Sequence, residues 1–118
     1  MNWIKLNHSS QLDEIKKESE QQPVLIFKHS TRCSISATAL SRLERSWKEE
    51  DMKELKSYYL DLLSYRPISN SIAETFGVYH QSPQALIIHK GKCVYNASHF
   101  DITYPDIKSQ LESVKKVA

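Results

Sequence analysis

Cys33 is the residue around which any reactive chemistry in this chain must be organised. It comes shortly after the apolar run Val24-Leu25-Ile26-Phe27 and opens a segment in which Ser36, Leu40, Leu43 and Trp47 fall at spacings of four, three and four. That spacing is one stripe of a helix. A cysteine at a helix start meets unpaired backbone N–H groups and the positive end of the dipole, and both favour thiolate over thiol. Lys28, His29 and Arg32 stand just before it and add positive charge. The thiolate is the nucleophile of thiol–disulfide exchange, so position makes Cys33 a candidate for that reaction. The plainer alternative is a structural cysteine that happens to open a helix. Ser36 lies on the inward stripe, where its hydroxyl is expected to donate a hydrogen bond to the Cys33 thiolate. Alternatively it satisfies a first-turn backbone group. In either role it cannot form a disulfide.

The other cysteine, Cys93, opens the strand after a hairpin turn, and cysteine is among the most buried residue types. A quiet core thiol is the expectation. A resolving role would need its Cα within about 7 Å of that of Cys33. His29 and Cys33, like His89 and Cys93, share a spacing, and together they make a zinc-like donor set. Each pair straddles a turn, so neither sits on one helix face, and no metal is expected. Pro83 precedes another apolar run, Ala85-Leu86-Ile87-Ile88, and from the sequence alone reads as a trans proline beginning a strand.

The surrounding elements follow from patterning. Trp3 to Leu6 reads as a short strand, and Leu12, Ile15 and Ser19 mark an amphipathic helix after a Ser9 or Ser10 cap. Continuity of the run 24–27 implies a central strand covered on both faces. Tyr58 to Leu62 has strand composition. Arg66-Pro67 opens a helix with apolar Ile68, Ile72 and Phe76, closed by Gly77. After the run 85–88, Lys90-Gly91-Lys92 turns into Cys93-Val94-Tyr95, and Tyr104-Pro105-Asp106 begins a helix with Ile107, Leu111, Val114 and Val117 on its apolar face. The order is βαβαβαββα, an α/β sandwich with a mixed sheet and helices on both faces. With 118 residues, no repeat and no linker, residues 1–118 read as a single domain. Sixteen basic against fourteen acidic residues give a net charge of +2, which argues for neither nucleic acid nor a membrane surface. There is no apolar stretch long enough for a signal or a span, and two cysteines are too few for a disulfide scaffold. A cytoplasmic protein with reduced thiols is expected.

The segment Phe27-Lys28-His29-Ser30-Thr31-Arg32-Cys33-Ser34-Ile35-Ser36, with His80-Gln81-Ser82-Pro83-Gln84 downstream, resembles the YtxJ-like monothiol bacilliredoxins. The similarity extends over nearly the whole chain and implies a thioredoxin-like fold. Ser34 departs from the proline usual directly after the cysteine, so the first turn keeps one more N–H. The resemblance implies a cis Pro83 beside the cysteine, with the backbone of Ser82 free to pair with an extended substrate. It implies Cys33 as nucleophile, Ser36, Ser34 and Arg32 as thiolate-stabilising residues, and Thr31, Ser82 and Pro83 in substrate binding. It also implies S-thiolated proteins as substrates, bacillithiol as the small-thiol cosubstrate, no bound cofactor, and regeneration by a small thiol or a separate reductase.

Overall fold

The computed structural model describes residues 1–117, leaving aside the side chains of residues 115–117. Its elements run β1 (Ile4–Lys5), α1 (Gln11–Ser19), β2 (Val24–His29), α2 (Ser34–Ser46), α3 (Glu49–Met52), β3 (Lys56–Asp61), α4 (Arg66–Phe76), β4 (Gln84–His89), β5 (Lys92–Ser98), a 3-10 turn (His99–Asp101) and α5 (Tyr104–Val117). This is the expected alternation with α3 and the 3-10 turn added. Both are too short for periodicity to reveal. The expectation that Val117 lies on the apolar face of α5 falls outside the described side chains.

The strands form one sheet in the order β1-β3-β2-β4-β5. β1 and β2 run parallel to β3, β4 is antiparallel to β2, and β5 is antiparallel to β4. Side chains of β2 alternate between the two faces. Val24 and Ile26 join Leu12, Ile15, Leu60, Ile68 and Ile72 in a core beneath α1 and α4. Leu25 and Phe27 join Ala39, Leu43, Ile87, Ile107 and Leu111 beneath α2 and α5. The result is three layers with β2 at their centre. Each such side chain contributes about 1.5–3 kcal/mol relative to leaving it in water, so β2 is a firm base for whatever follows it.

β2 is longer than its apolar run. It continues through Lys28 and His29, and all six of its residues are buried. Charged residue types resemble a strand end in the sequence, which is why patterning stops at Phe27. β3 is displaced towards the N-terminus of its expected range, ending at Asp61, and the N–H of Leu62 then donates to the carbonyl of His29 at 3.0 Å. At the opposite end of the sheet, Lys90 and Gly91 have φ of 52° and 76°. Two positive φ values make the turn whose twist matches a two-residue hairpin. The Ser19 hydroxyl accepts from the N–H of Gly91 at 2.9 Å, tying this turn to α1.

Candidate active site

Parallel pairing brings the C-terminal ends of β2 and β3 together, and the antiparallel β4 begins at that same end of the sheet. Four residues after β2 the chain enters α2 with Cys33 as the N-cap, in extended conformation (φ −107°, ψ 120°). The Cys33 N–H donates to the carbonyl of Ser30 at 3.1 Å, closing the turn, and the Cys33 carbonyl accepts the first helical bond, from Ala37, at 3.0 Å. An N-cap side chain is the one that faces the unpaired N–H groups of the first turn. The half-buried Cys33 makes no capping bond and is a free thiol. Cys33 therefore occupies the N-cap position, from which a side-chain oxygen ordinarily accepts hydrogen bonds, and leaves the first-turn N–H groups uncapped.

Ser36 is fully buried, as its place on the inward stripe requires, but its partner differs from the expected one. Its Oγ accepts from the N–H of Ser30 at 3.0 Å and lies 2.6 Å from Nδ1 of His29. The hydroxyl thus ties the turn before Cys33 to the first turn of α2. No hydrogen bond joins it to the Cys33 sulfur among the described residues. His29 itself lies under α2 among aromatic rings, 5.7 Å from Tyr59 and 6.4 Å from Phe27 between centroids. Burial lowers its imidazole pKa, outweighing the opposing pull of the Asp61 and Glu44 carboxylates. His29 is accordingly a neutral hydrogen-bonding group and not a cation acting on Cys33.

Lys28 points to the other face of the sheet, because neighbouring strand residues alternate. Its Nζ donates to the backbone carbonyl of Ser69 at 3.2 Å and lies 3.4 Å from Nδ1 of His80. Lys28 is therefore directed away from Cys33 and His29 is engaged with Ser36, so the expected convergence on the cysteine fails for these two residues. Thr31, Arg32 and Ser34 are all exposed around the turn that carries the cysteine.

The register Lys28↔Gln84 sets Ser82 and Pro83 alongside the segment that leads from β2 to Cys33. The Ser82–Pro83 peptide is cis, and Pro83 is buried. The carbonyl of Pro83 accepts from the N–H of His99 at 3.0 Å. Neither the N–H nor the C=O of Ser82 has a partner among the described residues, and its buried Oγ has none either. Ile35, Leu63, Tyr79 and Phe100 are exposed. The topology puts all four at the Cys33 end of the sheet. This end therefore brings together Cys33, a backbone segment at Ser82 without partners among the described residues, and exposed apolar side chains.

Residues 4–107 match the model of the monothiol bacilliredoxin BrxC family. The chain belongs to this family. A solved protein described as an oxidoreductase candidate with a thioredoxin fold is 33% identical, covers 92% of each chain and superposes with a TM-score of 0.77. Thioredoxins from Trypanosoma brucei brucei (15% identity, 98% of this chain and 92% of that one, TM-score 0.72) and Fasciola hepatica (13%, 92% and 96%, 0.69) share the fold. The protein is thus a thiol–disulfide oxidoreductase of thioredoxin fold.

The second cysteine of this bacilliredoxin is remote from the first. Cys93 pairs with Ile88 and Ile88 with Val24, so Cys93 lies level with the start of β2 while Cys33 lies beyond its end. Five residue steps of strand already span about 17 Å, well past disulfide reach. Cys93 is half-buried, its Sγ bonded to the carbonyl of Tyr95 at 3.2 Å, and burial pushes its thiol pKa up. His89 is at that far end too, so the four zinc-type donors weighed in the sequence do not converge.

Two imidazoles give the stability of this bacilliredoxin a pH dependence. His29 and His80 both have pKa values lowered in the fold, by burial first and, for His80, by the Lys28 and Arg66 charges next. The unfolded chain takes up protons near the ordinary value of about 6.5 while the folded chain still resists. Stability is therefore full above that range and falls as pH drops through it. Urea midpoints should decline from pH 7.5 to pH 5 and decline less in His29→Gln; equal slopes in the two proteins would show that His29 does not contribute.

Proposed function

We propose that this protein removes bacillithiol from protein mixed disulfides through Cys33 alone. The Cys33 thiolate attacks the bacillithiol sulfur, a new S–S bond forms between them, and the substrate protein leaves as a thiolate that takes a proton. A second thiol then attacks the adduct, releasing the Cys33 thiolate and carrying bacillithiol away as a disulfide. Ser34, Ser36 and Arg32 support the reactive turn, and Thr31, Ser82 and Pro83 line the approach. The unpaired backbone of Ser82 suits an extended protein segment, which favours S-thiolated proteins as substrates. Release of the adduct by a free thiol draws on a pool of reduced thiol, which favours a cytoplasmic setting.

The observation that carries the reading is the separation of the thiols: Cys93 stands at the far end of the sheet, so an adduct on Cys33 must be released from outside. Cys93→Ala should cost on the order of 1 kcal/mol in packing and leave turnover, corrected for folded fraction, unchanged. The assay is multiple-turnover release from a bacillithiolated protein with bacillithiol supplied in modest excess. A single burst followed by arrest in Cys93→Ala alone would refute the one-cysteine mechanism. Parallel reactions with glutathionylated protein and glutathione test the choice of thiol, and faster turnover there would transfer the reading to glutathione.

A further inference from the structure

Lys28 is 0% exposed, yet its ammonium pairs with no carboxylate among the described residues. Burying an uncompensated cation is unfavourable, and here burial pulls the Lys28 pKa down to about 8. A methionine would fill the same volume without that cost. What the ammonium does instead is hold His80. An ammonium can only donate, so Nδ1 of His80 must accept from it, and the ring proton of neutral His80 is placed on Nε2. Ser69, also buried, has its Oγ 3.2 Å from the same Nδ1 and its carbonyl on Lys28. A third buried polar residue, Gln84, bonds the same loop: its Nε2 donates to the carbonyl of Tyr79 at 3.0 Å, and its Oε1 accepts from the N–H of Gln81 at 3.4 Å.

Three buried polar side chains from β2, α4 and β4 are thus directed at residues 79–81, the approach to Ser82. The loop they hold carries Tyr79, which is 92% exposed. Local packing does not require so much fixation for a loop that presents its aromatic ring to water. We propose that Lys28 is a positioning residue: acting through His80, it holds the 79–82 loop in the shape that receives the protein segment of the substrate. The inference rests on reading that loop as substrate-facing. The groups around His80 are Lys28 on β2 and Arg66 and Ser69 on α4, with Glu74 of α4 lining the same groove. Protonated His80 would turn an N–H towards the ammonium, so the contact exists only while His80 is neutral.

Lys28→Met provides the test. Its thermal midpoint should be unchanged or higher, and Cys33 alkylation by iodoacetamide should stay within a few-fold of wild type. KM for a bacillithiolated protein should rise about five-fold or more at similar kcat. Ring-nitrogen NMR should show His80 losing its fixed Nε2–H form and titrating at higher pH than in wild type. His80→Ala, which removes the contact from the loop side, should reproduce the KM change. A lowered midpoint in Lys28→Met with wild-type KM in His80→Ala would show that the lysine serves the fold only and overturn the proposal; so would an unaltered His80 titration in Lys28→Met. If wild type releases no thiol from mixed disulfides, the functional reading fails while the NMR titration still decides whether Lys28 sets the state of His80.

Discussion

Cys33→Ser should reduce release of bacillithiol from a mixed disulfide to the rate given by free thiol alone. A serine hydroxyl is essentially un-ionised at neutral pH and cannot form the S–S intermediate, so no slower version of the same path remains. The substitution should leave the fold intact, because serine is a preferred N-cap residue and its Oγ can accept from the first-turn N–H groups that the thiol leaves uncapped. Far-UV dichroism and the urea midpoint should therefore match wild type or exceed it slightly. The decisive measurement is the rate of substrate-protein thiol appearance under multiple turnover. Residual activity within ten-fold of wild type would exclude Cys33 as the nucleophile.

Ser36→Cys should convert a one-thiol site into a two-thiol site and weaken the fold while doing so. Residues three apart on a helix have Cβ atoms about 5–6 Å apart, and the extended backbone of Cys33 leaves a small adjustment for a disulfide. Mild oxidation should remove both the Cys33 and the new thiol without producing dimers. The cost arises because Ser36 Oγ is engaged with both Ser30 N–H and His29 Nδ1 in a dry site. A thiol is a poorer partner for both, and leaving buried groups under-satisfied costs about 1–3 kcal/mol. Ser36→Ala separates the two effects: it should show a similar loss of stability with no disulfide. Persistent free thiols in oxidised Ser36→Cys would mean that residue 36 stays turned towards His29.

The residues that the two variants address were legible in the sequence to different depths. Cys33 at a helix start follows from a strand-like run changing to 3.6-residue periodicity, a purely local signal. Burial of Ser36 follows from the same stripe. Its partner does not, since His29 reaches Ser36 only because β2 extends two residues past its apolar run and turns that ring under α2. Lys28 shows the same gap more sharply. Proximity in sequence suggested a cation near the cysteine, whereas strand alternation sends it through the sheet to Ser69 and His80.

The amino-acid order was enough to set the succession of the longer elements, the central place of the 24–27 strand, the helix opened at Arg66-Pro67 and closed at Gly77, and the identity of the candidate nucleophile. All of these rest on patterns spanning a few residues, or on likeness to the bacilliredoxins around Cys33 and Pro83. Sheet order, the remoteness of Cys93, and the partners of Lys28, His29, Ser36 and Gln84 were settled only when distant segments packed together. A buried polar group takes whichever donor or acceptor the neighbouring layer supplies, because leaving it unpaired is costly. That neighbour lies seven residues along the chain for His29 and fifty-two for Lys28. Local patterning records that a side chain is buried; the packing of the layers selects what it touches.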